Sequence, residues 1–278
     1  MGKDVDTWLN YKPKKPKAKN EIGPVHVISV FNQKGGVGKT TSTISIAAAL
    51  SEYGRKVLVV DFDPQGSLTV GLTGNPDITP TVYDVLLEKA SVRDALLKTR
   101  IPNVDLVPAG IDLSVADLQL ASEPGREFAL QRGLAPIIND YDYVLIDCLP
   151  SLGLLALNAL ATSESLLIPL QCEFYALKGI TLLEDTLSKV QSRINPRLKI
   201  MGILPTMLSR STHHREALER VIEFYGDLVF HSAIPDTVKF SDATKEATPI
   251  TIYASNSPGA DAYRNAAAEL IERVEGKK

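Results

Sequence analysis

From Val25 onward, short apolar runs alternate with longer stretches in which apolar residues recur every three or four positions. Apolar runs of four to seven residues that are followed by polar loops are typical of strands buried on both faces of a sheet. The pattern predicts strands at residues 25–31, 57–60, 104–107, 143–146, 166–169 and 200–204.

Helical periodicity fills the intervals between these strands. It predicts helices at residues 40–53, where Gly54 closes the helix, and at residues 175–192 and 216–224. Strands that alternate with helices favour a parallel sheet with both faces covered. No repeat or linker divides the chain after residue 22. We therefore predict one α/β domain over residues 23–278, with a predominantly parallel twisted sheet and helices on both faces.

Residues 1–22 have a different composition from the rest of the chain. Five lysines and two prolines follow one another closely beside two aromatic residues: Trp8, Tyr11, Lys12, Pro13, Lys14, Lys15, Pro16, Lys17 and Lys19. Such a segment buries too little apolar surface to fold alone, so we predict a flexible, solvated leader. The alternative is an arm that contacts DNA or a protein partner.

Composition narrows the class of protein. The net charge is −3, with 44% hydrophobic and 23% charged residues, as in ordinary globular proteins. A nucleic-acid binder with this balance must gather its positive charge on one face. The start lacks the apolar run of a secretory signal, and no apolar stretch has the length of a membrane span, so we expect a cytoplasmic protein.

Cys148 and Cys172 each end an apolar run. We interpret them as buried, reduced thiols rather than ligands of a metal shared across a dimer.

The strongest chemical signal is a glycine-rich run between a predicted strand and a predicted helix: Lys34, Gly35, Gly36, Val37, Gly38, Lys39, Thr40 and Thr41. Its glycines let backbone N–H groups turn toward phosphate oxygens, and the helix N-terminus adds a favourable dipole. In such a loop Lys39 binds the β- and γ-phosphates and the Thr40 hydroxyl ligates Mg²⁺. Gln33 stands where the general pattern has its first glycine. Lys34 is an additional lysine, which in most loops of this kind points away from its own phosphates.

Acidic residues end two further predicted strands. Asp61 and Asp63 share one face at the end of the second strand, and Asp147 ends the strand at residues 143–146. The carboxyl ends of parallel strands meet at one edge of the sheet, where ligands bind. One of these two acids is expected to position the attacking water, and the other to support the metal or the loop. Asp147 fits a water-mediated Mg²⁺ ligand.

With these motifs the chain resembles the ParA/Soj partition ATPases, P-loop proteins with a deviant Walker A motif. The segments that carry the resemblance are NQKGGVGKTT (32–41), VDFDPQG (60–66), LIDCLPSLG (145–153), PLQCEFYALKG (169–179) and GDLVFHSAIP (226–235). The resemblance covers residues 25–275 and implies an ATPase with ATP and Mg²⁺ as cofactors.

The resemblance also implies particular roles. In the family two subunits sandwich two ATP molecules, so Lys34 is expected to reach the phosphates bound by the partner. The acid that matches Asp63 is needed for hydrolysis, so Asp63 is assigned to catalysis and Asp61 to the metal. Thr206 and Pro235 are assigned to nucleotide binding. The ATP-bound homodimer is expected to bind DNA without sequence preference on the nucleoid. A ParB-type centromere-binding partner is expected to stimulate hydrolysis and release the DNA.

The chain departs from the family where DNA contacts are expected. Asp236 stands where the family typically places an arginine, whereas Lys239 keeps a positive charge. We assign DNA binding to Arg210, Arg215 and Lys239, with Arg220 and Lys245 as further members of the patch. A solvated face of mixed charge is the alternative.

Three rival functions remain open from the sequence. An orphan member of the family could position a protein cargo instead of a centromere. A MinD-like membrane ATPase would need a basic amphipathic C-terminal helix, but the last helix sets an alanine-rich stripe against Glu269, Glu272 and Glu275. We therefore expect no membrane binding. A small-molecule P-loop enzyme would need charged substrate anchors beside the γ-phosphate, and the sequence indicates no dedicated set.

Overall fold

A computed structural model of the chain describes residues 5–17, 19, 23–173, 176–209 and 211–276. Its strands are β1 (His26–Val30), β2 (Val57–Phe62), β3 (Leu97–Lys98), β4 (Val104–Val107), β5 (Tyr143–Cys148), β6 (Ser165–Gln171) and β7 (Lys199–Thr206). Its helices are α1 (Val5–Leu9), α2 (Lys39–Glu52), α3 (Ser67–Thr73), α4 (Val82–Leu86), α5 (Val92–Ala95), α6 (Ala116–Leu120), α7 (Ala129–Leu134), α8 (Leu154–Thr162), α9 (Ala176–Arg193), α10 (Thr212–Tyr225), α11 (Lys239–Lys245), α12 (Ile250–Tyr253) and α13 (Pro258–Glu275).

The described strands form one seven-stranded sheet in the order β3-β4-β2-β5-β1-β6-β7. All neighbouring strands are parallel except β3, which pairs antiparallel with β4 at one edge. β1 lies between β5 and β6, so the loop that follows β1 emerges at the middle of the carboxyl edge of the sheet. The prediction of a predominantly parallel α/β fold is confirmed.

The two faces of the sheet bury separate apolar clusters. In β2, for example, Leu58 and Val60 belong to one cluster, whereas Val57 and Val59 belong to the other. Successive side chains of a strand point to opposite faces, so a strand that is covered on both faces is apolar at every position. This explains why the central strands read as continuous apolar runs.

Helix α13 packs against α2 and covers one face of the sheet. Tyr263 and Leu270 on its apolar stripe are fully buried, as expected from the sequence. The assignment of Glu269 to an exposed acidic face is wrong, because this side chain is only 3% exposed. Its carboxylate accepts hydrogen bonds from the backbone N–H groups of His231 and Ser232 and forms an ion pair with Arg273. These donors compensate the cost of burying the charge. Across the described residues, no helix combines the length and the apolar character needed to cross a membrane.

The N-terminal segment differs from the expectation of a solvated leader. Within it, α1 packs against α10. Val5 is 1% exposed and Trp8 5% exposed, and both belong to a core cluster of the domain. Lys19 forms an ion pair with Asp142 at 2.7 Å. Burial of one aromatic and one aliphatic side chain favours docking by about 3–6 kcal/mol, before the ordering of the segment is subtracted.

Substitution of Asp142 measures how much the contacts of the chain before β1 contribute to the stability of the fold. Its buried carboxylate accepts hydrogen bonds from Lys19 and from the backbone N–H groups of Gly23 and Lys56. Burial raises the pKa of this carboxyl, but the hydrogen bonds outweigh burial and hold the pKa below its usual value of 3.8. We expect Asp142→Asn to lower the free energy of unfolding by about 2 kcal/mol at pH 7.

The stabilising effect of Asp142 should depend on pH in one direction. A carboxyl with a depressed pKa in the folded state stabilises the fold above its unfolded pKa, and this contribution is lost as the pH falls through the folded pKa. The difference between wild type and Asp142→Asn should therefore be constant above about pH 5 and shrink toward pH 3. Urea unfolding at several pH values measures it. A difference that stays constant across this range would show that the charge of Asp142 is not what stabilises the fold.

Candidate functional site

The glycine-rich loop forms an open cradle between β1 and α2. Gly36 and Gly38 have φ angles of +74° and +85°, which place them in the left-handed region that favours glycine. A Cβ added at Gly35 or Gly36 would meet no atom within 4 Å. The side-chain nitrogen of Gln33, at the start of the loop, is buried without a hydrogen-bond partner among the described residues. An open, glycine-lined cradle at a helix N-terminus fits a phosphate group.

The two lysines of the loop lie in different places. Lys39 begins α2, is 8% exposed, and donates a hydrogen bond from Nζ to the Lys34 carbonyl oxygen at 3.2 Å. Burial lowers the pKa of Lys39, while Asp147 and Asp63 favour its charged form. The Lys34 ammonium lies at the end of β6, 2.6 Å from Glu173 Oε2 and 3.1 Å from the Gln171 side chain. Lys39 thus faces the cradle, whereas Lys34 is bound outside it.

Asp147 lies directly beside the loop. Its carboxylate accepts hydrogen bonds from the hydroxyls of Thr40 at 2.7 Å and Thr43 at 3.2 Å. Burial raises the pKa of Asp147 to about 8, with the nearby charge of Asp61 as the second cause. In the register of the sheet, Asp61 on β2 is the direct neighbour of Asp147 on β5. Two adjacent buried carboxylates favour the approach of a cation.

The two acids after β2 have different surroundings. Asp61 is fully buried, and its carboxylate accepts hydrogen bonds from the Thr69 hydroxyl and N–H and from the Asp63 N–H. Burial raises the pKa of Asp61 to about 6, against the hydrogen bonds from Thr69. Asp63 is half-buried and accepts one hydrogen bond, from the Gln65 N–H at 2.9 Å. Asp63 is therefore the more available of the two for a substrate or a water molecule.

The donor set fits a magnesium ion. Thr40 supplies a hydroxyl and Asp147 a carboxylate, both hard oxygen ligands at the edge of the cradle. The carboxylate of Asp61 is already bonded to Thr69, so it suits electrostatic support better than direct ligation. Asp61 and Asp147 together make the edge strongly acidic.

A cavity of about 260 Å³ adjoins the loop. Gly38, Thr41, Thr206 and Pro235 line it, which places both residues assigned to the nucleotide beyond the phosphate loop at one site. Thr206 is 2% exposed and donates its hydroxyl hydrogen bond to the Val37 carbonyl at 2.9 Å. A space beside the cradle suits the sugar and base of a nucleotide.

The described residues assigned to DNA binding lie on two different helices. Arg210 lies outside the described residues. Arg215 lies in the first turn of α10 and forms ion pairs with Asp6 at 2.5 Å and Glu219 at 3.6 Å. Lys239 is exposed at the start of α11, on another helix. The further candidates, Arg220 and Lys245, lie on α10 and α11.

Sequence reasoning missed several residues of this site. Glu173 and Gln171 bind Lys34, Thr43 and Thr69 hold the two buried acids, and Met207 and Phe240 line the cavity. Glu173 and Gln171 lie within the segment PLQCEFYALKG, but they are separated from Lys34 by more than 130 positions. Only the pairing of β1 with β6 brings them together.

Comparison with known proteins agrees with this geometry. A family model described as an AAA domain matches residues 25–200. The sporulation initiation inhibitor protein Soj of Bacillus subtilis is 42% identical over 88% of this chain and 97% of its own length. The chromosome-partitioning ATPase Soj of Treponema pallidum is 45% identical over 87% of this chain and 95% of its own. A Mycobacterium smegmatis structure named cobyrinic acid a,c-diamide synthase, with a bound ATP analogue and magnesium, is 41% identical. It aligns over 92% of this chain and 98% of that chain, with a TM-score of 0.80.

A phosphate loop at the carboxyl edge of a parallel sheet, with acids on two neighbouring strands, defines a P-loop nucleotide-binding protein. The identities over nearly the full length then place it more narrowly. The chain belongs to the ParA/Soj family of P-loop ATPases.

Proposed function

We propose that this chain is an ATPase switch for chromosome or plasmid partition that dimerises with ATP and uses Mg²⁺. In this proposal the ATP-bound homodimer binds DNA on the nucleoid without sequence preference. A ParB-type partner stimulates hydrolysis, and hydrolysis releases the DNA. The name of the Treponema pallidum relative, chromosome-partitioning ATPase Soj, supports a role in chromosome partition.

The observation that carries the proposal is the position of Lys34. A phosphate loop needs one lysine for its own nucleotide, and Lys39 occupies that position at the start of α2. Lys34 lies at the rim of the phosphate cradle, where it forms an exposed ion pair with Glu173. An exposed ion pair contributes only about 0–1 kcal/mol, so phosphates carried by a partner subunit can displace it. An extra lysine at the rim of the cradle thus favours a sandwich of two subunits.

The residues of the cradle have distinct roles in this proposal. The backbone N–H groups from Gly35 to Thr41 and the Lys39 ammonium bind the phosphates. Thr40 and Asp147 hold the magnesium ion, which neutralises phosphate charge when bound. Asp63 orients the attacking water, and Asp61 keeps the segment around Asp63 in place through Thr69 and the Asp63 N–H. Thr206 and Pro235 bind the nucleotide beyond its phosphates.

DNA binding by the basic patch requires the dimer in this proposal. Arg210, Arg215 and Lys239 are the proposed contacts. One subunit has a net charge of −3, so a surface with few cations attracts DNA weakly. Two copies of the same basic patch raise the number of phosphate contacts and therefore the affinity. This provides a physical reason for binding that follows the nucleotide state.

A second candidate comes from the name of the M. smegmatis structure. That structure is named as a synthase of a small molecule and holds an ATP analogue and magnesium, which matches the rival hypothesis of a small-molecule P-loop enzyme. Such an enzyme would turn over ATP in response to its carboxylic acid substrate, without DNA. An orphan ATPase that positions a protein cargo is the remaining alternative, and it would dimerise with ATP without holding DNA.

The test is DNA binding with ATP, with ADP and without nucleotide, for wild type and Asp63→Ala across a salt series. We expect the ATP state to bind DNA at least about tenfold more tightly than the ADP state, and the affinity to fall as salt rises. Asp63→Ala should retain or prolong binding, because ATP is no longer consumed. Asp77→Ala, which removes another acid from an exposed loop, is the matched control. Dimerisation with ATP but no DNA binding at low salt in any state would refute the partition role.

A further inference from the structure

The N-terminal segment of the described chain is anchored at its start by an aromatic contact. The Trp8 ring stacks on the His231 ring at a centroid distance of 4.1 Å and an interplanar angle of 18°. The Tyr11 ring contacts the same His231 ring at 4.5 Å, and its hydroxyl donates a hydrogen bond to Glu272 at 2.8 Å. Such contacts with buried ring area fix the path of the chain that follows.

A second anchor lies at the other end of this segment. The Arg55 guanidinium donates a hydrogen bond to the Lys17 carbonyl oxygen and forms an ion pair with Glu275 at 2.7 Å. Lys19 is bound to the buried carboxylate of Asp142. We call residues 8–17 together with residue 19 the strap. It is held at both ends, and Pro13 and Pro16 further restrict the backbone between the anchors.

Between its anchors the strap presents positive charge to solvent. Lys12, Lys14, Lys15 and Lys17 are exposed. Within the part of the chain that the structure describes, none of these four forms an ion pair with a carboxylate. The acids beside the strap already have donors, since Glu275 is paired with Arg55, Asp142 with Lys19, and Glu272 accepts from Tyr11. The strap is therefore a local excess of cations on a chain whose net charge is −3.

The strap lies at the opposite edge of the sheet from the phosphate loop. Asp142 immediately precedes β5, and its carbonyl accepts a hydrogen bond from the N–H of His26 at the start of β1. The phosphate loop follows the other end of β1. Five strand residues span about 16 Å, so nucleotide at the loop does not contact the strap.

We propose that the strap is a second DNA-binding surface, which contacts the phosphate backbone of a duplex in every nucleotide state. An extended segment from residue 12 to residue 17 spans about 16 Å. A duplex carries one phosphate charge per about 1.7 Å of its axis, so several phosphates lie within reach of the four lysines. Because the anchors already order the backbone, binding costs less conformational entropy than ordering a free tail would.

The chemistry of the strap favours nucleic acid over an anionic membrane. Its large apolar ring, that of Trp8, is buried in the domain, and Tyr11 is engaged with Glu272. Stable attachment of a basic segment to lipid requires apolar insertion or a lipid anchor in addition to charge. Tyr11 is 39% exposed, but its hydroxyl holds it on Glu272, and the lysines beside it suit a phosphate backbone.

The experiment compares the full-length protein with a variant in which Lys12, Lys14, Lys15 and Lys17 are all replaced by glutamine. Binding to a fluorescent duplex is measured without nucleotide and with ATP, from low to moderate salt. Each phosphate contact contributes about 0.9 to the slope of log affinity against log salt, so the slope should fall by about 2–4 in both states. The affinity at low salt should fall by about tenfold or more.

A control variant has the same change in net charge at four exposed positions outside the strap. In it, glutamine replaces Lys89, Arg100, Lys189 and Arg193. It should keep the wild-type slope. Equal slopes for wild type and the strap variant would overturn the proposal. So would an effect of the strap variant on binding to phosphatidylserine vesicles alone. The nucleotide-free state separates this inference from the partition switch, since that switch predicts a gain of binding with ATP, whatever the strap contributes.

Discussion

Replacing Lys39 with alanine is expected to lower ATP turnover by about a hundredfold or more. Lys39 is the only described lysine whose ammonium is buried at the phosphate cradle, 8% exposed and at the N-terminus of α2. A charge that is fixed in a site of low dielectric acts more strongly on a phosphate than the same charge in water. Loss of this charge should weaken both the binding of the triphosphate and the stabilisation of the charge that develops during transfer.

Thermal unfolding with and without Mg-ATP separates loss of binding from loss of fold. A ligand that binds only the folded state raises its stability by about 2.7 kcal/mol at a hundred times its dissociation constant. Lys39→Ala should lose this gain while its unfolding temperature without nucleotide changes little, because the burial of the ammonium and its attraction to Asp147 and Asp63 oppose each other. Lys189→Ala, at an exposed position of α9, is the control. Wild-type turnover in Lys39→Ala would remove Lys39 from the catalytic site.

The fold could be predicted well where the physical signal is local. The central strands are apolar at every position because helices cover both faces, and each end of a predicted strand lies within two residues of its position in the structure. The antiparallel strand β3 was missed, since a two-residue strand has no periodicity and depends on its pairing with β4. The short helices between residues 67 and 134 were missed for a similar reason, because each spans seven residues or fewer.

The candidate site likewise combines features that the local sequence predicts with contacts that depend on the tertiary fold. The cradle is encoded in eight consecutive residues, and the acids stand at strand ends, so their convergence follows from the parallel sheet. The pairing of Lys34 with Glu173 depends on the tertiary fold, across 139 positions. The docking of Trp8 on His231 joins the two ends of the chain in the same way. Composition alone predicts a solvated leader for the N-terminal segment, because composition gives no information about a distant surface of the domain on which the segment can pack.

Buried acids show where a pattern alone misleads. On α13 the spacing of Glu269 placed it with exposed acids, but Arg273 one turn later and two backbone N–H groups make its burial possible. The spacing of Asp61 and Asp63 at the end of β2 does not tell which of the two acids is available for catalysis. In the structure, Thr69 donates its hydroxyl hydrogen bond to Asp61 and not to Asp63. In both cases the hydrogen-bond partner, rather than the residue type, sets the role of the carboxylate.

Replacing Lys34 with alanine should leave the monomer folded and able to bind ATP, but should prevent ATP-dependent dimerisation. The Lys34 side chain is 51% exposed and, among the described residues, is bonded to Glu173 and Gln171 at the rim, so its removal costs the fold little. In the dimer the same ammonium would lie against the partner's phosphates, where water is excluded and the loss of a charge costs several kcal/mol. We expect dimer affinity to fall by about a hundredfold or more, and hydrolysis to fall with it.

Glu173→Gln is the matched variant at the other side of this pair. It frees Lys34 from its own chain without removing the lysine, and an exposed pair is worth about 0–1 kcal/mol. Dimerisation with a non-hydrolysable ATP analogue should therefore become about as tight as in wild type or up to fivefold tighter. Sedimentation velocity across a range of protein concentrations measures both variants. If Lys34→Ala dimerises and hydrolyses ATP as wild type does, Lys34 does not act across the interface. Weaker dimerisation of Glu173→Gln by tenfold or more would instead give Glu173 a direct part in the dimer.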